Sequence, residues 1–228
     1  MNISGLEKIT LTDYPAHVAC IIFTQGCNLK CEFCQNSDLV EFTEKSLISE
    51  KEFFDYLLFR QNILDGVVIS GGEPLLQPKI KEFIKKIKDL GFKVKLDTNG
   101  TNADLLKELI DENLLDYVAM DIKTTLDDYG SVSGCEKFGL DNIKKTIKVL
   151  TTSGITHEFR TTVTKKHHTY EHLKNICGII GNNNYYLQNF EDSDRVINKG
   201  IPAFTDLELK ELVNRLNEQF PNVQVRGL

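Results

Sequence analysis

The sequence predicts an α/β fold built on a parallel sheet, and three observations lead there. Short apolar runs rich in β-branched residues alternate with longer amphipathic runs. Six such strand–helix units follow one another, the arrangement that right-handed crossovers between parallel strands produce. Chemistry-bearing residues gather where the apolar runs end, the place where α/β folds bind ligands. Six units are too few for the eight-fold closed barrel, so a curved, incomplete barrel and an open doubly wound sheet both fit. The 228 residues carry no linker rich in Pro, Gly or Ser, and 41% of them are hydrophobic, which predicts a single domain spanning residues 1–228.

Residues 1–17 read as a leader. Residues 18–24 form the first buried strand and run into a cysteine-bearing loop. A helix follows over 49–61, with Ser49 as its cap and Phe53, Phe54, Leu57 and Leu58 on one face. Strand two covers 66–70. The helix over 79–90 closes at Gly91, a C′ glycine. Strand three spans 92–97, a helix 103–112, and strand four 116–121. The helix over 141–153 stops at Gly154. Strand five takes 156–163, a helix 170–180, and strand six 185–190. A helix over 206–219 closes the chain, with a short strand at 222–226.

A net charge of -6 gives no basis for binding nucleic acid or an anionic membrane. No apolar run is long enough to span a bilayer, and the first residues lack a signal sequence's apolar segment. Six cysteines in such a chain point to a reducing cytoplasm, where clustered thiols act as metal ligands or catalysts rather than disulfides.

Cys27, Cys31 and Cys34 offer three thiolates on one short loop, with no fourth beside them. Iron–sulfur clusters usually take four cysteines, so three would leave one iron open to another ligand. The alternatives are structural zinc, which needs four donors, and reduced structural thiols without a metal. His17 and Cys20 are the nearest extra candidates, and Cys20 has the phase of a strand-interior core residue. Other strand ends carry Gly71-Gly72-Glu73-Pro74, Asp97-Thr98-Asn99-Gly100, Asp121 with Lys123, Arg160, and Gln188 with Asn189. The first three have simpler readings: a tight glycine turn, an Asx turn with a helix cap at Asn102, and a surface ion pair. Alternation nevertheless puts Asp121 and Lys123 on one side of an extended segment. Cys135 and Cys177 lack a C-x-x-C neighbour. His167 and His168 sit in a lysine-rich loop and are expected to be solvated. The lysines between Lys79 and Lys95 suit a solvated helix face.

Together, Cys27-x-x-x-Cys31-x-x-Cys34 and Gly71-Gly72-Glu73-Pro74 resemble the radical S-adenosylmethionine (SAM) superfamily. Three further runs resemble the activating enzymes of glycyl radical enzymes, above all those of anaerobic ribonucleoside-triphosphate reductase. They are the leader through Asp13-Tyr14-Pro15, the approach Phe23-Thr-x-Gly26-Cys27-Asn28, and Phe33-Cys34-Gln35-Asn36. The resemblance implies an incomplete (β/α)6 barrel, open on one side to admit a protein loop. It implies a 4Fe–4S cluster on Cys27, Cys31 and Cys34, and SAM on its open iron. Reductive cleavage of SAM to methionine and a 5′-deoxyadenosyl radical would lead to hydrogen abstraction from a partner's glycine. Flavodoxin or ferredoxin would donate the electron. By motif, Gly71, Gly72 and Glu73 would line the methionyl amino group, Asn36 and Lys123 the carboxylate, and Arg160 the adenosyl part. Asp97, Thr98, Asp121 and the carbonyl of Ala119 match a monovalent-cation site. Phe190 stands where a relative has histidine, and Ala16 replaces the glycine common after Asp-Tyr-Pro. The rival readings are a small-molecule radical SAM enzyme such as a 7-carboxy-7-deazaguanine synthase, and a non-catalytic zinc or iron–sulfur module.

Overall fold

The computed structural model describes residues 1–43, 46–134 and 137–227. Every expected strand forms: β2 (Ala19–Thr24), β3 (Gly66–Gly71), β4 (Lys93–Thr98), β5 (Tyr117–Asp121), β6 (His157–Val163), β7 (Tyr185–Asn189) and β8 (Val223–Arg226). All are parallel and pair in chain order. A doubly wound sheet would reverse that order at a switch point; this one never does, so the sheet curls as a partial barrel with two free edges.

One edge strand escaped the sequence reading. The leader forms β1 (Ile3–Thr10), antiparallel to β2. Its interior is broken by Gly5 and polar residues, and only Ile3 and Thr10 at its ends are buried, so it shows no period-2 signal.

Helices α1 (Glu50–Phe59), α2 (Ile80–Asp89), α3 (Ala103–Asp111), α5 (Lys137–Ser153), α6 (Tyr170–Ile180) and α7 (Asp206–Asn217) occupy the crossovers. A short α4 (Tyr129–Ser133) precedes α5 and was not expected. Ser49 caps α1 reciprocally with Glu52, and Asn102 caps α3. Gly91 has φ +89°, as a C′ glycine should. Crossovers that keep one hand and one direction stack their helices on one face of the sheet. That outer face holds the main core, including Cys20, Ile22, Ile69, Leu96 and Met120. Cys135 lies outside the described residues.

The inner face changes character along the strands. At their amino ends it is apolar, with Ile21, Val68 and Tyr117 packed on Tyr14. Tyr14 is buried, its ring 6.0 Å from that of Tyr117. The leader's Asp-Tyr-Pro run therefore stoppers the barrel floor. Farther along, the inner face becomes ionic: Lys95 and Glu158 lie level with Tyr117 and Ala119, and Asp97, Asp121 and Arg160 follow toward the carboxyl ends. Lys85 and Lys86 of α2 are exposed as expected, but Lys95 is fully buried. It belongs to a strand rather than to the helix face, two residues from Asp97 on the same side.

Candidate active site

The carboxyl ends of the parallel strands open into one cleft of about 230 Å³. Cys27, Cys31, Cys34, Asn36, Gly71, Gly72, Asp97, Thr98, Asp121, Lys123 and Arg160 all line it. Phe33, Gln35, Ser70, Asn99, Thr162 and Gln188 do so as well. Ser70 and Thr162 share the inward phase of Asp97 and Arg160, so alternation would have found them.

Backbone hydrogen bonds tie the cysteine loop to the glycine turn. Gly26 N donates to Leu39 O at 2.8 Å and Cys27 N to Val40 O at 2.9 Å, folding the loop back on itself. Gly72 N donates to Thr24 O (2.9 Å) and Glu73 N to Gly26 O (2.8 Å). The approach leaves no room for side chains. Gly71 has φ +117°, and a Cβ on Gly72 would stand 2.2 Å from the Gly26 carbonyl oxygen.

Glu73 points its side chain elsewhere. Its buried carboxylate accepts from Leu75 N (3.1 Å), Thr98 Oγ1 (2.8 Å) and Asn99 N (2.6 Å). Burial pushes its pKa up to about 7, against the pull of these donors. Asn99 in turn donates to Asn28 Oδ1 at 3.0 Å and toward Cys27 Sγ at 3.8 Å. Glu73 thus joins the glycine turn, the end of β4 and the cysteine loop.

The thiols suit a cluster. Leu29 N also donates to Cys27 Sγ, at 3.4 Å, and such bonds stabilise a thiolate or cluster sulfur. Burial raises Cys27 and pushes Cys31 up to about 12, while the Lys123 ammonium opposes burial at both. Ligation must therefore expel protons from buried thiols. Among the described residues, no three His, Cys, Asp or Glu side chains gather at the spacing of a single metal ion.

Facing the cysteines is an ionic ladder. Lys123 Nζ lies 3.1 Å from Asp121 Oδ2, and Arg160 Nε lies 2.8 Å from Asp121 Oδ1. Arg160 also reaches Asp97 Oδ2 at 3.3 Å, and Lys95 holds Asp97 Oδ1 at 2.6 Å. Burial opposes the charges on Asp97, Asp121, Lys123 and Arg160, yet the pairing wins. Asp97 and Asp121 stay below the usual carboxylate range, and Lys123 and Arg160 above their usual values.

His167 and His168 are not solvated. His168 is 1% exposed. Its Nδ1 accepts from Thr164 N at 3.0 Å, so Nε2 carries the proton and donates to Lys123 O at 2.9 Å. The rings of both histidines lie 5.9 Å from that of Phe33, and His167 also meets Glu32. Lys166 and Asn198 bond the same Glu32 carboxylate. The loop after β6 therefore braces the cysteine loop. Phe190 is buried in the outer core rather than in the cleft.

Residues 21–179 match the family model described as the radical SAM superfamily. A Methanocaldococcus jannaschii protein described as a glycyl-radical enzyme activating enzyme is 33% identical over 99% of this chain and 96% of its own length. The pyruvate formate-lyase-activating enzyme of Clostridium pasteurianum is 30% identical over 79% of this chain and 78% of its own. Among solved structures, Streptococcus suis SuiB bound to S-adenosylmethionine superposes with a TM-score of 0.73 at 18% identity. That match covers 89% of this chain and 48% of SuiB. QueE from Escherichia coli gives a TM-score of 0.58 at 15% identity over 99% of this chain and 93% of its own. At such identities the likeness is one of fold.

Proposed function

Because the chain belongs to the radical SAM superfamily and is an enzyme of the glycyl-radical-enzyme-activating type, we propose that its cleft prepares the glycyl radical of anaerobic ribonucleoside-triphosphate reductase. The family brings with it SAM and a 4Fe–4S cluster, which supply reductive sulfonium cleavage and hydrogen abstraction when bound. One observation carries the reading: buried Cys31 and half-buried Cys27 and Cys34 share one cleft with an ionic ladder suited to a zwitterionic nucleoside, and no fourth cysteine among the described residues lines it. The leader through Asp13-Tyr14-Pro15 and the run Phe33-Cys34-Gln35-Asn36 support the choice of partner.

Cys27, Cys31 and Cys34 hold the cluster, with Asn99 and Leu29 donating toward the Cys27 sulfur. The backbone of Gly71 and Gly72 borders the methionyl amino group. Glu73 acts through its position, fixing the turn and the Asp97–Gly100 loop together. Lys123 and Asn36 take the methionyl carboxylate, and Arg160 orients the adenosyl part with Thr162 and Gln188 near it. The glycine strand of the partner enters by the open side of the barrel, and a flavodoxin or ferredoxin delivers the electron in the cytoplasm.

Anaerobic reconstitution followed by electron paramagnetic resonance tests this reading. The protein with SAM, a reductant and the reductase should give a glycine-centred doublet, and none with a formate-lyase type enzyme. Cys31→Ala should lose both cluster absorbance and 5′-deoxyadenosine formation. SAM cleavage without a doublet on any glycyl radical enzyme would refute the protein substrate.

A further inference from the structure

Lys95 is the one member of the ionic ladder that does not line the cleft. Its side chain is 1% exposed, with Nζ 2.6 Å from Asp97 Oδ1 and 5.8 Å from the centre of the Tyr117 ring. A buried ammonium persists only where charge and hydrogen bonding compensate its desolvation. Here a carboxylate and an aromatic face do so.

The side-chain oxygens expected to hold a monovalent cation already have partners in the chain. Asp97 Oδ1 takes Lys95, and Oδ2 takes Ser70 Oγ (3.1 Å) and Arg160 (3.3 Å). Asp121 Oδ1 takes Arg160 and Oδ2 takes Lys123. The Thr98 hydroxyl donates to Glu73 and accepts from Gly100 N. Two carboxylates thus face three cationic side chains. A further cation would add to an uncompensated positive charge at a largely buried site.

We propose that the Lys95 ammonium stands in for a bound monovalent cation, fixing Asp97 and through it Arg160, so that SAM binding here needs no added K⁺ or Na⁺. Lys95 is a positioning residue: it acts on the ligand only through Asp97. The inference rests on the cleft being a SAM site. It also accounts for a lysine placed two residues before Asp97, where strand phase turns it inward beside the carboxylate.

Calorimetric titration of the anaerobically reconstituted full-length protein with SAM decides the matter. The buffers carry tetramethylammonium, Na⁺ or K⁺ as sole cation. Wild-type affinity should agree within about twofold across all three. Lys95→Met should lose about tenfold in tetramethylammonium and regain it with K⁺ or Na⁺. Wild-type binding that requires K⁺ or Na⁺ overturns the proposal without the variant, as does a Lys95→Met protein indistinguishable from wild type in tetramethylammonium. Absence of SAM binding in every buffer overturns the reading of the cleft instead. In that event the melting temperature of the cluster-free protein still tests the lysine: K⁺ should raise it in Lys95→Met and leave wild type unmoved, and an equal response in both would refute the substitution of lysine for cation.

Discussion

Acidification should destabilise the cluster-free protein through His168 in particular. Both ring nitrogens are committed, Nδ1 accepting from Thr164 N and Nε2–H donating to Lys123 O. A second proton would have to sit on Nδ1, against a backbone donor and away from solvent. Burial accordingly lowers the pKa from 6.5 to about 4, outweighing the bond to the Lys123 carbonyl. A depressed histidine stabilises the fold above its unfolded pKa, and that stability fades as pH falls through the native one. The unfolded chain takes up the proton first. By pH 5 the linkage amounts to roughly 2 kcal/mol, and below pH 4 to roughly 3 kcal/mol. Urea unfolding from about pH 7.5 to 5, followed by circular dichroism, measures it for wild type and His168→Gln. The variant should start less stable, and the gap should close by about 2 kcal/mol toward the acid end. Parallel profiles across that range would show that His168 is not held neutral and that its contacts do not brace Lys123.

Three further outcomes follow from the geometry. Gly72→Ala puts a methyl group 2.2 Å from the Gly26 carbonyl oxygen. It should cost about 1–3 kcal/mol and lower the iron content after reconstitution, read by melting and iron assay. Ala16 has φ +61°, so Ala16→Gly should stabilise by about 0.5–1 kcal/mol in chemical denaturation, and a loss would contradict the left-handed backbone there. Arg226 bonds the fully buried Glu158 with both terminal nitrogens, at 2.5 and 2.7 Å. Arg226→Met should cost about 3 kcal/mol by leaving that carboxylate without its cation and with the Tyr117 hydroxyl (2.7 Å) as its remaining donor, with hydrogen exchange rising first in β8.

Much of the site was legible because its signals are local. Cysteine spacing, the paired glycines and the Asp-x-Lys alternation are properties of a few adjacent residues. The elements that stayed hidden lack such signals. β1 carries glycine and polar residues in its interior and is a strand only because β2 offers it an edge. α4 is five residues long and contains Gly130. His168 looked solvated because its sequence neighbours are lysines, whereas Phe33 and the Lys123 carbonyl, distant in sequence, enclose it.

Sequence alone places the seven parallel strands and their crossover helices in chain order, without β1 or α4, and sets three thiols together with no fourth beside them. Those follow from hydrophobic periodicity and short-range spacing. The tertiary structure decided which charges meet. Lys95, Asp97, Arg160, Asp121 and Lys123 come from three strand ends, and sheet register alone sets Asp121 opposite Arg160. It also turned Glu73 from the cleft toward Thr98 and Asn99. Those outcomes depend on contacts between residues far apart in the chain, which local pattern does not encode.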